Sequence, residues 1–311
     1  MKKIRFTNNM ANWTGFWFLF LIFGNAVSGL DACTLWGGAG TDVLGAGTLI
    51  CKNRDWIPDQ RQILELVTPE KGHRYFALRV VRPKGNENKA AINEKGLVVI
   101  TATAGSIPAS ERKKLEKNHS LISTIMEQCA TVDEVIIHQI WFKRPVFMMI
   151  ADRQTLAIIE IGPNGAFAVK KTSEGVLSHT NHYLDPEMEK FNVKIGTSSA
   201  VRLDRIQELL GEKKGNFTLA DFTVVSKDSV AGTDNSIWRT GSSPTTTRTL
   251  ATWIVYQPLQ GASRLFVRIA NPGEVEQSFE ADCSSLFSGK EVQGTSKSVS
   301  ESSKHCRWGA E

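Results

Sequence analysis

Short apolar runs, joined in pairs by turn residues, constrain the fold of this chain more than any other feature. Residues 33–36 and 48–56 flank the glycine-rich segment GGAGTDVLGAG, and residues 146–171 contain three runs around the turns DRQT and PNG. Runs of this length, bounded by Gly, Asn, Asp or Pro, predict β-strands that pair as hairpins. The predicted strands lie at 33–36, 48–56, 74–83, 95–105, three within 146–171, 247–258 and 263–272.

Two other segments have the periodicity of helices. Residues 121–139 repeat apolar side chains at a period of about 3.6, and residues 198–210 do the same before Gly211, which is predicted to end the helix. Strands and helices are grouped along the chain and do not alternate. This order predicts an α+β fold in which two antiparallel sheets stack between helices.

Length and composition indicate one large domain. The chain has 311 residues, 41% of them hydrophobic, and no linker divides its middle, so we expect a single domain over residues 33–284. Residues 285–311 are rich in Ser and Lys, which predicts a loosely ordered tail. The net charge of +5 is not concentrated in a basic cluster with aromatic residues, so no nucleic-acid partner is expected.

The N-terminus is typical of an export signal. Three basic residues within the first five positions precede an uncharged segment from 6 to 30, and small residues follow its apolar centre. This layout predicts a signal peptide over residues 1–28 and an exported protein, either periplasmic or secreted. The strongly apolar core is about ten residues long, whereas a membrane-spanning helix needs about twenty, so no stable membrane anchor is expected.

Cys33 lies directly behind this segment. Cleavage after Ala32, or after Ser28 with later removal of the propeptide 29–32, would make Cys33 the first residue of the mature chain. An N-terminal cysteine carries both a thiol nucleophile and an amine whose pKa of about 7.7–8.0 suits a general base. Two alternatives stay open: a buried or disulfide-bonded cysteine, and a lipidated cysteine of the lipoprotein type, which Asp31 disfavours.

The other cysteines do not predict a cofactor. There are five cysteines in all, and an odd number in an exported chain leaves at least one unpaired, or paired between chains. Cys283 and Cys306 can pair around the tail, which spacing alone does not establish. The chain has no CxxC and no HExxH motif, so we expect neither a metal nor an organic cofactor.

From Cys33 onward, the chain resembles the cysteine N-terminal-nucleophile hydrolases. CTLW and GTLICKNRDW are similar to the start of the choloylglycine hydrolase and penicillin acylase group, and most similar to its acyl-CoA:6-aminopenicillanic acid acyltransferase-like branch. The resemblance spans about residues 33 to 272 and implies a four-layer αββα sandwich. Its further motifs, in order, are NEKGLVVITATAG, SHTNHY, SSAVRLDRIQELL and TRTLATWIVY.

The resemblance also implies a catalytic group around Cys33. Asp55 would orient the new amino terminus and stabilise its charge. Asn181 would donate its side-chain amide to the oxyanion, and a backbone N–H near Thr103 would be the second donor. His179 and His182 flank Asn181, but we prefer the amine of Cys33 as base, because no paired carboxylate is evident near either histidine.

A cation is expected beside this group. Arg248 matches the arginine before the penultimate strand of the family and is predicted to hold Asp55 or favour the thiolate; Arg239 and Arg202 are the competing candidates. Lys52 stands where choloylglycine hydrolases resemble one another in having arginine, which weakens a bile-salt interpretation. Arg54 is not assigned to the site, since strand side chains alternate and it should face away from Asp55.

These residues predict a hydrolase that cleaves a linear amide C–N bond of a small N-acyl substrate through an acyl-enzyme. One alternative passes the acyl group to an amine, as an acyltransferase; water is abundant outside the cytoplasm and acyl-CoA is not, so export favours hydrolysis. Another alternative is a lipidated, non-catalytic envelope protein. The sequence does not identify the acyl group or the amine of the substrate. It also leaves the oligomeric state open, and a homo-oligomer is one of the states it allows.

Overall fold

The computed structural model describes residues 32–83, 85–114 and 121–288. The predicted signal peptide 1–28, most of the propeptide 29–32, residues 289–311 of the tail and Cys306 therefore lie outside the described residues. Among the described residues, no helix has the length and apolarity that a membrane span requires.

The described chain consists mainly of β-strands. The strands are β1 (Ala32–Ala39), β2 (Thr48–Trp56), β3 (Gln62–Val67), β4 (Tyr75–Val80), β5 (Glu87–Asn93), β6 (Val98–Thr103), β7 (Val146–Ala151), β8 (Leu156–Ile161), β9 (Phe167–Thr172), β10 (Gly175–His179), β11 (Arg248–Gln257), β12 (Arg264–Ile269) and β13 (Gln277–Asp282). The α-helices are α1 (Ala109–Arg112), α2 (Leu121–Gln128), α3 (Val132–Ile137), α4 (Thr197–Glu212) and α5 (Leu219–Val225).

The strands form two antiparallel sheets. One sheet has the order β10-β1-β2-β11-β12-β13, and the other runs in chain order from β3 to β9. The predicted hairpin of β1 and β2 is present, and it turns at Gly40, whose φ of +61° favours glycine. β1 lies between β2 and β10; β2 pairs with it from Ala32, and β10 pairs with it from Leu35 onward.

The sheets pack face to face and are covered by helices on their outer faces. Between the sheets lie side chains such as Leu35, Ile100 and Trp253. Ile125 of α2 and Val132 of α3 pack on the outer face of the seven-stranded sheet. Ile206 of α4 and Phe222 of α5 pack on the outer face of the six-stranded sheet. The structure is therefore the predicted α+β, four-layer αββα sandwich.

The predicted helix at 121–139 is two helices, because a cap begins a new one. The Thr131 hydroxyl accepts a hydrogen bond from the Glu134 N–H at 3.2 Å, and the Glu134 carboxylate accepts one from the Ala130 N–H at 2.6 Å. Such a Thr-x-x-Glu pattern satisfies backbone donors at a helix start. Gly211 does not end the second predicted helix, since α4 continues to Glu212.

Several elements were not predicted from the sequence. The strands β3, β5, β10 and β13 and the helix α5 belong to this group. Their sequences carry charged or polar residues that interrupt the apolar patterns. At the start of the predicted tail, residues 285–287 form one 3-10 turn whose Leu286 is buried.

Candidate active site

Cys33 lies near the start of β1, with its side chain facing the space between the two sheets. It shares this face with Leu35, since side chains alternate along a strand, and only 6% of it is exposed. The residue lines a cavity of about 580 Å³ whose walls come from both sheets and from α1 and α2. This is the volume of a typical small-molecule site, so the thiol lies where a substrate can reach it.

Asn181 connects Cys33 to the opposite sheet. Its Oδ1 accepts a hydrogen bond from the Cys33 backbone N–H at 2.9 Å, and its Nδ2 donates to the Thr103 carbonyl at 2.9 Å. The Asn181 N–H in turn donates to Ser199 Oγ at 2.9 Å, which ties the loop to α4. An amide nitrogen has two hydrogens, so Nδ2 keeps one for a further acceptor beside Cys33.

Thr103 ends β6 at the wall of the same cavity. Its carbonyl accepts from Asn181 and also from the Gly105 N–H at 2.8 Å. The structure thus brings Cys33, Asn181 and Thr103 together from three separate parts of the chain. That the Thr103 backbone N–H binds the oxyanion stays a prediction.

Asp55 lies on β2 directly across from Ala32, the residue before Cys33. It is fully buried, and its Oδ1 accepts a hydrogen bond from Thr249 Oγ1 at 2.8 Å. Its Oδ2 has no hydrogen-bond partner among the described residues. Burial raises the pKa of the Asp55 carboxyl, while the nearby guanidinium groups, first that of Arg239, act in the opposite direction.

The cation that contacts Cys33 is Arg202, a residue that we ranked behind Arg248. Its Nη1 donates to the Cys33 carbonyl and to Thr34 Oγ1, both at 2.7 Å, and its Nη2 donates to Asn181 Oδ1 at 3.0 Å. Burial lowers the pKa of Arg202 to about 10, so it stays charged at neutral pH. Arg202 therefore fixes both the backbone of Cys33 and the side-chain amide of Asn181.

The expected contact between Arg248 and Asp55 is not what the structure shows. The Arg248 guanidinium donates to the Ser243 carbonyl at 2.9 Å. Arg239 lies nearer to the carboxylate, with 3.9 Å between its Nη1 and Asp55 Oδ2. The reason is strand geometry: Thr249, not Arg248, is paired with Asp55 across β11 and β2.

Lys52 and Arg54 also line the cavity with Cys33, although neither was assigned to the site. Arg54 and Asp55 do face opposite ways, but β1 and β2 pair Cys33 with Arg54, so the thiol shares the face of Arg54. Lys52 donates to the Lys89 carbonyl at 2.8 Å, and burial lowers its pKa to about 7.

The two histidines beside Asn181 hold the loop, since both rings are engaged by other side chains. His179 Nε2 lies 2.8 Å from Glu160 Oε1, so a buried carboxylate is paired with it, contrary to our expectation. Glu160 Oε1 also accepts from the Leu184 N–H at 2.8 Å. His182 Nδ1 lies 2.8 Å from Ser199 Oγ, and burial lowers the pKa of His182. These contacts fix the loop that carries Asn181.

Replacing Glu160 with glutamine is expected to lower the free energy of unfolding by about 1–3 kcal/mol, because a buried acceptor of several donors is partly lost. Urea denaturation of the purified protein measures this change. Glu189→Gln, at an exposed position after the same loop, is the control and should change it by less than about 0.5 kcal/mol. Equal free energies of unfolding for the two variants would contradict the role of Glu160.

A family model of known proteins matches most of the chain. The family model of acyl-coenzyme A:6-aminopenicillanic acid acyl-transferase matches residues 43–270, a range that begins after Cys33 and includes Asp55, Thr103, Asn181 and Arg202. Among curated proteins, no sequence matches the chain.

Two solved structures share the fold. A variant of the conjugated bile acid hydrolase from Clostridium perfringens is 13% identical, covers 88% of this chain and 100% of its own, and has a TM-score of 0.53. The Caenorhabditis elegans ortholog of N-acylethanolamine-hydrolyzing acid amidase is 12% identical, covers 73% of this chain and 94% of its own, and has a TM-score of 0.52.

Proposed function

Because the chain belongs to the acyl-coenzyme A:6-aminopenicillanic acid acyl-transferase family, we propose that it is a cysteine hydrolase that cleaves linear amide C–N bonds through an acyl-enzyme. The observation that carries the proposal is the position of Cys33, whose side chain lines the cavity while its backbone N–H contacts Asn181 Oδ1. The two solved structures described above are named as hydrolases, which supports hydrolysis over acyl transfer.

The active form begins at Cys33. Removal of a signal peptide 1–28 and of residues 29–32, in one step or two, frees the α-amine where the Cys33 N–H now lies. Asp55 is paired with Ala32, and its Oδ2 has no hydrogen-bond partner among the described residues, so it can accept one from the new ammonium group. Since signal peptides direct export, the enzyme acts in the periplasm or outside the cell.

The reaction follows from the groups around the thiol. The α-amine of Cys33 takes the thiol proton, and Sγ attacks the carbonyl carbon of the amide. The remaining Nδ2 hydrogen of Asn181 and the Thr103 N–H stabilise the oxyanion. Collapse of the intermediate breaks the C–N bond, and the ammonium group returns the proton to the leaving amine. Water then hydrolyses the thioester and regenerates Cys33.

Acyl transfer is the second candidate, because the matching family is named for it. A transferase forms the same thioester on Cys33 but passes the acyl group to an amine in place of water. Adding a primary amine during turnover separates the two. A hydrolase releases mostly the free acid, whereas a transferase releases mostly the new amide.

Turnover by the mature protein tests the proposal. The chain that begins at Cys33 is incubated with a panel of N-acyl amides, and the free acid, the free amine and the intact protein mass are followed. We expect acid and amine in equal amounts and a transient mass increase equal to one acyl group. Diacylglycerol mass on Cys33, or no acyl adduct with any amide, would contradict the proposal.

A further inference from the structure

The cavity beside Cys33 is dominated by positive charge. Of the described residues that line it, seven are lysine or arginine and one, Glu87, is acidic. We propose that the amide substrate carries an anionic group, of the carboxylate class, which these cations bind while the scissile carbonyl meets Cys33. The inference rests on the proposed hydrolase function and adds the chemical class of its substrate.

The single acidic residue of the lining does not balance the cations. Glu87 forms an ion pair with Arg82 at 3.4 Å, and Lys89 contacts the same carboxylate. One carboxylate is therefore shared by two cations. Among the described residues, no carboxylate forms an ion pair with Arg54 or Arg144, so the positive charge of these two lining residues is not balanced there.

Lys52 and Arg54 are the deepest of these cations, and each is only 1% exposed. Among the described residues, they donate to neutral oxygens: Lys52 to the carbonyls of Lys89 and Thr101, and Arg54 to Gln60 Oε1 at 2.6 Å and to the backbone carbonyl of Asp55. Burying a charge without a counter-ion is costly, so a bound anion would stabilise the Arg54 guanidinium and the protonated form of Lys52, whose pKa burial lowers to about 7.

Two donors of the lining lack an acceptor. Neither Arg54 Nε nor the indole Nε1 of Trp56 has a hydrogen-bond partner within the described part of the chain. The Arg54 guanidinium lies over the Trp56 ring, 5.1 Å from its centroid, so the two donors are neighbours. A carboxylate has two acceptor oxygens and can satisfy these donors, which no oxygen of the described residues reaches.

The cavity also has room for an apolar acyl group. Leu121, Ile122, Pro145 and Val146 belong to its lining. A substrate with an apolar acyl chain and one anionic group therefore matches the whole lining. A neutral substrate would leave the buried cations without a counter-charge.

The competing explanation is that the cations act on the thiolate of Cys33 alone. In that case, removing one of them lowers kcat by the same factor for charged and neutral amides. An anion site behaves differently, because its loss raises KM for the charged amide and leaves the neutral one unchanged. The two explanations are therefore separated by the choice of substrate.

The test uses two matched pairs of amides with the mature protein. N-octanoylglycine and N-octanoylglycinamide differ in charge on the amine side, and suberic acid monoanilide and octanoic anilide differ in charge on the acyl side. We expect the charged member of one pair to have a kcat/KM at least about tenfold higher, the effect of one good charge-assisted contact. This preference should shrink as salt is added.

Variants assign the effect to the cavity. Arg54→Gln removes the buried cation, and Arg144→Gln removes a half-buried one whose loss the fold should tolerate. Each is expected to raise KM for the charged amide about tenfold while the neutral amide keeps its KM. Arg61→Gln, at an exposed arginine outside the lining, is the control. Equal turnover of charged and neutral amides, or equal losses of kcat for both, would overturn the anion site.

Binding separates this inference from the proposed function. Calorimetry with the Cys33→Ala chain measures the affinity for N-octanoylglycine, N-octanoylglycinamide, suberic acid monoanilide and octanoic anilide without turnover. Tighter binding of a charged member, with no amide cleaved by the unaltered enzyme, supports the anion site and refutes the hydrolase. Cleavage of neutral and charged amides at equal rates, with equal affinities, supports the hydrolase and refutes the anion site.

Discussion

Replacing Cys33 with alanine is expected to lower amide hydrolysis by the mature protein on the order of 10⁴-fold or more, because the only proposed nucleophile is lost. The acyl adduct detected by intact mass should vanish with it. The change removes one sulfur atom from the wall of an open cavity, so the fold should persist, which circular dichroism verifies.

Cys51→Ala is the matched control for this variant. Cys51 lies on the neighbouring strand β2, but its side chain packs on the outer face of the sheet among residues such as Leu49 and Ile206. Its loss is expected to cost about 1 kcal/mol of stability through a small cavity and to leave turnover unchanged. Full turnover by Cys33→Ala, or an equal loss in both variants, would refute the assignment of the nucleophile.

The variant Cys33→Ala also tests how the N-terminus is exposed. When the full-length chain is exported and its N-terminus is sequenced, self-removal of residues 29–32 predicts that Cys33→Ala retains them. Direct cleavage after Ala32 predicts that the unaltered chain and the Cys33→Ala chain both begin at position 33.

The sequence predicted the fold well where apolar patterns were long and regular. The hairpin of β1 and β2 and the strands β7, β8 and β9 carry continuous apolar runs, and the αββα layers follow from burying both faces of two such sheets. The strand β5 was missed because it begins with Glu87, Asn88 and Lys89, whose polar side chains line the cavity. Polar residues that line the cavity therefore interrupt the apolar alternation by which this strand would have been predicted.

The candidate site was only partly predictable because strand register and helix placement are not local properties. Alternation along β2 separates Arg54 from Asp55, but only the pairing of Cys33 with Arg54 shows which face carries the thiol. Likewise, choosing among Arg202, Arg239 and Arg248 requires knowing that α4 packs beside β1, which brings Arg202 within 2.7 Å of the Cys33 carbonyl.

Asn181→Ala is expected to lower kcat for amide hydrolysis by about 10²–10³-fold, the usual cost of one oxyanion donor. Asn181 has a second role, since its Oδ1 accepts from the Cys33 N–H and from Arg202. Asn181→Asp keeps these acceptor contacts and removes the Nδ2 donor. If donation to the oxyanion is the main role, both variants lose similar kcat with little change in KM.

The control for Asn181 is another asparagine close to it in the fold. Asn192 accepts from the Tyr183 N–H at 2.9 Å and donates to the Tyr183 carbonyl at 3.0 Å, so it braces the loop without contacting Cys33. Asn192→Ala should therefore lower the free energy of unfolding by about 1 kcal/mol and change kcat only a few-fold. Full activity in Asn181→Asp would refute oxyanion donation. If Asn192→Ala instead lowers kcat as much as Asn181→Ala does, both effects would be assigned to the loop, since stability and chemistry would then change together.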